Sequence, residues 1–209
     1  MAGEQTVGEF LESLGSSAPA PGGGAASALA GALAAALAEM VAQLTVGRPR
    51  FAAVEDPMRS LLAEARAARV ELLALAGDDA RVYAAVSAAY KLPKATEEET
   101  GHRDDAIQAA LRDAMQPPLR MMAAGCRVLA LAEETAASGN PSVASDAGCA
   151  ALLGEAAVRA AGLNVLANVV LLRDEDAVAE ARAAKERYEE AAASLRERTM
   201  AAVHARMGG

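Results

Sequence analysis

Apolar residues recur along this chain at intervals of three and four, the spacing of one face of a helix, and nowhere alternate as in a strand. Val7, Phe10, Leu11 and Leu14 mark a short first helix, opened by a capping box of Thr6 with Glu9 and ended near Gly15. A second helix is predicted from about Ala25 to Thr45, built almost wholly of Ala, Leu and Gly. Gly47-Arg48-Pro49 stops it. A third begins near Val54 or Pro57 and runs to Ala76 on Leu61, Leu62, Ala65, Ala68, Leu72 and Leu75. Gly77-Asp78-Asp79 is then a break or a capped restart, followed by Val82, Tyr83 and Val86 to Tyr90.

Leu92-Pro93-Lys94 reads as a loop, because proline disfavours helix at the residue before it. Thr96 with Glu99 opens the next helix, to about Met115. Gln116-Pro117-Pro118 punctuates, and Leu119 to Ser138 is helical until Gly139-Asn140-Pro141. Ser142 or Ser145 is expected to cap a helix reaching about Leu172. A charged helix closes the chain from about Asp176 to Arg206, reading as a solvated outer helix or a coiled-coil-like partner face. The expected fold class is all-α, a single-domain bundle of about seven or eight helices spanning residues 1–209.

Composition supports that reading. Of 209 residues, 53% are hydrophobic but only 2% aromatic, so alanine carries the apolar content and favours close-packed helices over sheet. The net charge of −8 speaks against a nucleic-acid partner, which calls for a basic face. No signal peptide opens the chain. The Ala25–Ala38 run is too short and too rich in Gly and Ala for a membrane span, so it is read as a buried core helix in a cytoplasmic protein. Cys126 and Cys149 lack metal-ligand spacing and are expected as buried, reduced thiols. No metal site and no tightly bound cofactor is expected.

The segment with most to say chemically is Pro19-Ala20-Pro21-Gly22-Gly23-Gly24. Its prolines stiffen the approach to a helix start whose free N–H groups suit an anion or polar ligand edge. The competing reading is a tight turn that lets a small-residue helix pack. Other polar residues sit in punctuated, otherwise apolar places. Asp79 and Tyr83 share a helix face. Lys94 follows a proline, and Arg103 lies one turn into its helix. Asn140, Ser142, Ser145 and Asp146 crowd one turn, while Asn164 and Asn168 stand four apart among Leu, Val and Ala.

Each has a structural alternative. Asp79 and Asp146 are also suited to capping, Asn164 with Asn168 to an interhelical pair, Lys94 to the surface and Arg103 to pairing with Glu99. His102 and His204 read as bystanders. No Ser-His-Asp arrangement, Walker lysine or dinucleotide fingerprint is present.

Taken in order, these segments resemble the cyclodeaminase domain of the formiminotransferase-cyclodeaminase family, which includes free-standing methenyltetrahydrofolate cyclohydrolases. The resemblance rests on Pro-Ala-Pro-Gly-Gly-Gly at 19–24, Met40-Val41 with Leu44-Thr45 and Gly47, and Asp79 four before Tyr83. It continues through Leu92-Pro93-Lys94 with Thr96 and Arg103, Pro118-Leu119, Gly139-Asn140, Ser145-Asp146-Ala147, and Asn164-Val165 before Asn168. Arg48 and Arg50 stand where the family often has lysines.

The resemblance implies an all-helical homodimer acting on a tetrahydrofolate derivative. The chain has no room for a transferase domain, which favours the cyclohydrolase over the ammonia-releasing cyclodeaminase. A non-catalytic folate-binding or helical dimerisation module is the alternative of a different class. The resemblance also implies roles. Asp79, Lys94 and Asp146 would be catalytic, with Asp79 the essential carboxylate. Pro21, Gly22, Gly23, Gly24, Thr45, Tyr83, Arg103, Asn140, Ser145, Asn164 and Asn168 would bind substrate. An ordinary aspartate pKa of about 3.9 makes a weak base at neutral pH, so the surroundings of Asp79 decide its strength.

Overall fold

The computed structural model describes residues 5–208, and every regular element among them is helical. Seven α-helices follow in order: α1 (Val7–Leu14), α2 (Gly23–Gln43), α3 (Glu55–Tyr90), α4 (Glu97–Ala114), α5 (Gln116–Ser138), α6 (Ala144–Val169) and α7 (Glu175–Met207). Short 3₁₀ turns at Pro49–Val54 and Pro141–Val143 precede α3 and α6. Both predicted capping boxes form, Thr6 with Glu9 and Thr96 with Glu99.

The start of α6 corrects an expectation. Neither Ser142 nor Ser145 caps it. Asn140 instead accepts from the Ser142 N–H at 3.1 Å and holds the 3₁₀ turn that leads in. The Gln116-Pro117-Pro118 stretch lies inside the first turn of α5, where missing N–H donors cost nothing.

The larger correction is α3. Residues 55–90 form one helix that runs through Gly77-Asp78-Asp79 without a break. Gly77 costs helix propensity, but the packing of Leu72, Leu75, Ala76 and Val82 on either side outweighs it. Asp79 is therefore not a cap; it projects from mid-helix. A Cβ added at Gly77 meets nothing within 4 Å. Gly77→Ala is expected to stabilise the fold by about 0.5–1 kcal/mol, read as a higher urea midpoint at unchanged slope.

Helix α2 is the hub. It packs between α3 and α6 with α5 beneath it, and Ala28, Ala34, Ala35, Ala38, Val41 and Ala42 are fully buried. Small residues bring the axes close. At Gly125 of α5, a Cβ would lie 2.6 Å from Val158 Cγ2 of α6, so the two helices meet there backbone to side chain. Helix α6 lies antiparallel to α2, since Asn164 stands beside Gly23 and Gly154 faces Ala34. Cys126 is half-buried and its thiol, pushed up by burial to about 11, donates to the Tyr188 carbonyl. Cys149, expected inside, is exposed on α6.

One end of α2 is fixed by polar bonds. The Thr45 hydroxyl donates to the Val41 carbonyl at 2.8 Å and accepts from the Asn140 N–H at 2.9 Å. The Asn140 amide donates to the Leu44 carbonyl, and Arg206 of α7 caps the last carbonyls of α5 at Ala137 and Gly139. The other end of α2 opens into a cavity.

Candidate functional site

The cavity follows from how α2 begins. Gly22 is its N-cap and offers no side chain, and the first turn holds no acid, so the leading N–H groups of a 21-residue helix go uncapped. The carboxylate against this turn comes instead from α3. Asp79 packs on Gly24 so closely that a Cβ on Gly24 would overlap its carboxyl group. A Cβ on Gly23 would meet the Asn164 amide at an ordinary 3.8 Å. The close approach expected of the glycine run thus falls on Gly24 rather than Gly23.

The pocket so formed measures about 340 Å³ and lies between the Pro19–Gly24 loop, α3, the end of α4 and the end of α6. Ala80, Val82, Tyr83 and Val86 extend the α3 wall from Asp79. Leu111 and Ala114 of α4 and the adjoining Asn164, Ala167, Asn168 and Leu171 complete the lining. A larger depression of about 570 Å³ between α7 and the α4–α5 junction holds none of the predicted residues.

Two consecutive aspartates meet opposite fates. Asp78 points to the surface and pairs with Arg81 at 2.9 Å and Arg120 at 3.7 Å. Asp79, a hundred degrees round the helix, faces the pocket. Burial raises its pKa above the ordinary carboxylate value, and no hydrogen bond or charge partner among the described residues offsets that. The positive end of the α2 dipole is the counterweight that favours its ionised form. A carboxylate with raised pKa and free lone pairs is equipped to accept a proton.

The two asparagines divide the work. Asn168 donates to the Ala114 carbonyl at 3.1 Å and to the Asn164 carbonyl at 3.1 Å, so it ties α6 to the last turn of α4. Asn164 donates to the Ala160 carbonyl at 2.9 Å, which leaves its side-chain oxygen facing the Gly23 corner of the pocket. Gln108, which the sequence reading passed over, holds the far wall. It donates to the Leu171 carbonyl and accepts from the Arg173 N–H at 2.8 Å, fixing the strand of chain that carries Leu171.

The structure brings together Gly22, Gly23, Gly24, Asp79, Tyr83, Asn164 and Asn168, with Pro21 in the same loop. It does not bring Lys94 or Arg103 into this pocket. Lys94 is exposed in the α3–α4 connection, and the eleven residues from Asp79 to Tyr90 span about 16 Å of helix. Arg103 does not pair with Glu99; it donates to the Tyr90 carbonyl at 3.2 Å and lies 5.6 Å from the Tyr90 ring centroid.

Thr45, Asn140, Ser145 and Asp146 lie at the opposite end of α2, about 30 Å away by its rise. Thr45 and Asn140 are buried there with their polar atoms satisfied. The apolar walls at Val86, Leu111, Ala114 and Leu171 were missed. Reading 79, 83 and 86 as one stripe of an unbroken helix is the signal that finds the first of them.

The fold and pocket define a class: an all-helical protein with a small-molecule cavity armed by a half-buried carboxylate, unpaired among the described residues, at a helix N-terminus. The formiminotransferase-cyclodeaminase family model matches residues 6–187, and the chain belongs to that family.

Among its relatives, a methenyltetrahydrofolate cyclohydrolase of Methylorubrum extorquens is 41% identical over 174 residues, covering 83% of this chain and 84% of the relative. A formimidoyltransferase-cyclodeaminase of Mus musculus is 40% identical over 166 residues, but this chain spans only 31% of its length. The crystal structure of a formiminotetrahydrofolate cyclodeaminase from Thermotoga maritima superposes with a TM-score of 0.88 at 29% identity, covering 98% of each chain.

Proposed function

We propose that this protein hydrolyses 5,10-methenyltetrahydrofolate to 10-formyltetrahydrofolate, with Asp79 as the proton-transfer group. The observation that carries the reading is the Asp79 carboxylate, half-buried without a partner in a pocket about the size of a small heterocycle with its substituents. The likeness to the Methylorubrum extorquens cyclohydrolase supports the substrate.

The methenyl carbon of the substrate carries a positive charge shared with N5 and N10. A carboxylate beside it stabilises that cation and orients water. Asp79 takes one proton from the water as the hydroxyl oxygen bonds to the methenyl carbon. The adduct then loses its hydroxyl proton to solvent as the carbonyl forms and the bond from carbon to N5 breaks. N5 leaves with the proton that Asp79 held, so one carboxyl group serves both steps and one proton is released overall. The uncapped N–H groups of Gly23 and Gly24 and the Asn164 oxygen offer polar edges to the pterin ring. Tyr83 and Val86 carry the ligand outward along α3. Lys94 and Arg103 lie beyond them at the tip of the α3–α4 hairpin, where they meet the glutamate end of the substrate.

Lys94→Ala is expected to raise KM for a polyglutamylated substrate about 3- to 10-fold while leaving kcat nearly unchanged, the loss of one exposed charge contact. The likeness to the Thermotoga maritima cyclodeaminase supports a second reading, closure of 5-formiminotetrahydrofolate with release of ammonia. Decay of methenyltetrahydrofolate absorbance with purified protein, beside ammonia release from the formimino compound, decides between them. Hydrolysis without ammonia release is the expected result. The reverse pattern assigns the second reaction, and binding of folate without turnover of either compound leaves a non-catalytic folate module.

A further inference from the structure

We propose that Gln108 is a positioning residue for substrate selection: it holds Leu171 in place as the apolar wall against which the aromatic ring on N10 of the substrate packs. The identity of the ring rests on the folate reading above; the hold on Leu171 does not.

The wall needs holding. Leu171 lies in the connection between α6 and α7, where the last backbone bonds of α6 give out at the Leu172 N–H. It lines the pocket, yet it is 51% exposed, so it presents apolar surface that the bundle itself leaves uncovered. Its neighbour Leu172 is buried in the core and fixes where the connection passes. The half-buried Gln108 amide adds a second constraint. It donates to the Leu171 carbonyl at 3.2 Å and accepts from the Arg173 N–H at 2.8 Å. Those two groups flank Leu172 as the bonds to a parallel strand would, so the side-chain amide stands in for a neighbouring backbone. Only one orientation of the amide makes both bonds, since its nitrogen only donates and its oxygen only accepts.

The start of α7 has other anchors. Asp174 caps it through the Ala177 N–H and pairs with Arg112 at 3.1 Å, and Arg173 pairs with Asp104 at 2.8 Å. The bond from Gln108 to the Leu171 carbonyl acts instead on the residue that faces the ligand. Gln108 and Leu111 lie three apart on α4, and Leu111 is itself part of the lining. With the methenyl carbon at Asp79, N10 and its ring continue outward along α3 into the apolar part of the pocket made by Val86, Leu111 and Leu171. A flat ring there covers the exposed leucine, and burying most of one leucine side chain is worth about 5- to 30-fold in affinity.

Gln108→Met keeps the length of the side chain and removes both hydrogen bonds. It is expected to raise KM for methenyltetrahydrofolate about 5- to 30-fold with kcat within about twofold, because the lost contact is shared by ground and transition states. Leu171→Ala is expected to give the same shift. Adding Q108M to L171A should cost no more than about twofold further, because the two act through one contact. Asp104→Asn removes the ion pair to Arg173 and leaves the amide in place, so both parameters should stay within about twofold. An unchanged KM in Q108M, full additivity with L171A, or a D104N as impaired as Q108M overturns the proposal.

Amide hydrogen exchange at Arg173 tests the hold without substrate. Exchange is expected to be faster in Q108M than in wild type, and equal exchange overturns the hold. Wild type that shows this difference from Q108M yet turns over neither folate compound overturns the folate reading, and the ring with it.

Discussion

Asp79→Asn is expected to lower kcat for methenyltetrahydrofolate by about 10²- to 10⁴-fold, the loss of a proton-transfer group, while the folded protein gains stability near neutral pH. The two effects share one cause. Asp79 is half-buried, uncompensated, and its pKa stands above the ordinary carboxylate value. A group whose folded pKa is raised favours folding while it is protonated. That contribution is fully present below the unfolded pKa and is lost as pH rises through the folded one.

Asparagine is neutral throughout. The stability gap between D79N and wild type should therefore open with rising pH across that window and stay constant above it. Urea midpoints at a series of pH values measure the gap, and absorbance decay measures kcat. The wild-type rate should fall with acid through the same raised value, because only the ionised carboxyl accepts a proton. A variant with wild-type turnover removes Asp79 from the chemistry. A variant without the widening gap removes the desolvated carboxylate as its reason.

The second large effect is expected at Gly24. Gly24→Ala places a methyl group into the Asp79 carboxyl, so something must shift. The carboxylate must rotate away or the start of α2 must lift from α3. The expected outcome is a kcat/KM loss of about 100-fold or more, since a misplacement on the scale of 1 Å at a reacting group costs that much, with a stability loss of about 1–3 kcal/mol from overpacking. Gly23→Ala is the control, because its Cβ finds ordinary contact with Asn164. It should keep the fold and most of the activity. A G24A enzyme as active as G23A shows that the close approach does not position Asp79.

Much of the fold was legible because alanine-rich sequence with apolar residues three and four apart has few ways to bury them. Thr6, Thr96, Gly139 and Pro93 marked boundaries through chemistry that acts within four residues. What failed was equally physical. Gly77-Asp78-Asp79 carries two helix-unfavourable signals in a row, yet flanking core residues hold α3 through it. Cys149 sits among alanines and glycines that read as core, yet it falls on the outer face of α6.

The site was legible in part. Gly24 with Asp79, and Asp79 with Tyr83, were recovered as neighbours of one pocket. Thr45, Asn140 and Asp146 shared the same ordered resemblance and lie elsewhere in the chain, because order along a sequence carries no distance across a bundle.

By itself the sequence determined an all-helical protein, its capped and broken ends, a glycine-rich helix start, and a carboxylate on the same stripe as a tyrosine. These are properties of neighbours within a turn or two, where backbone geometry leaves little choice. Only the tertiary structure decided that Asp79 rather than Asp78 loses its water, that Gly24 is the glycine it touches, and that Asn168 ties helices while Asn164 keeps an oxygen for the pocket. Burial and close approach arise where three helices cross, and crossings are set by packing over the whole length of α2, α3 and α6 rather than by any one segment.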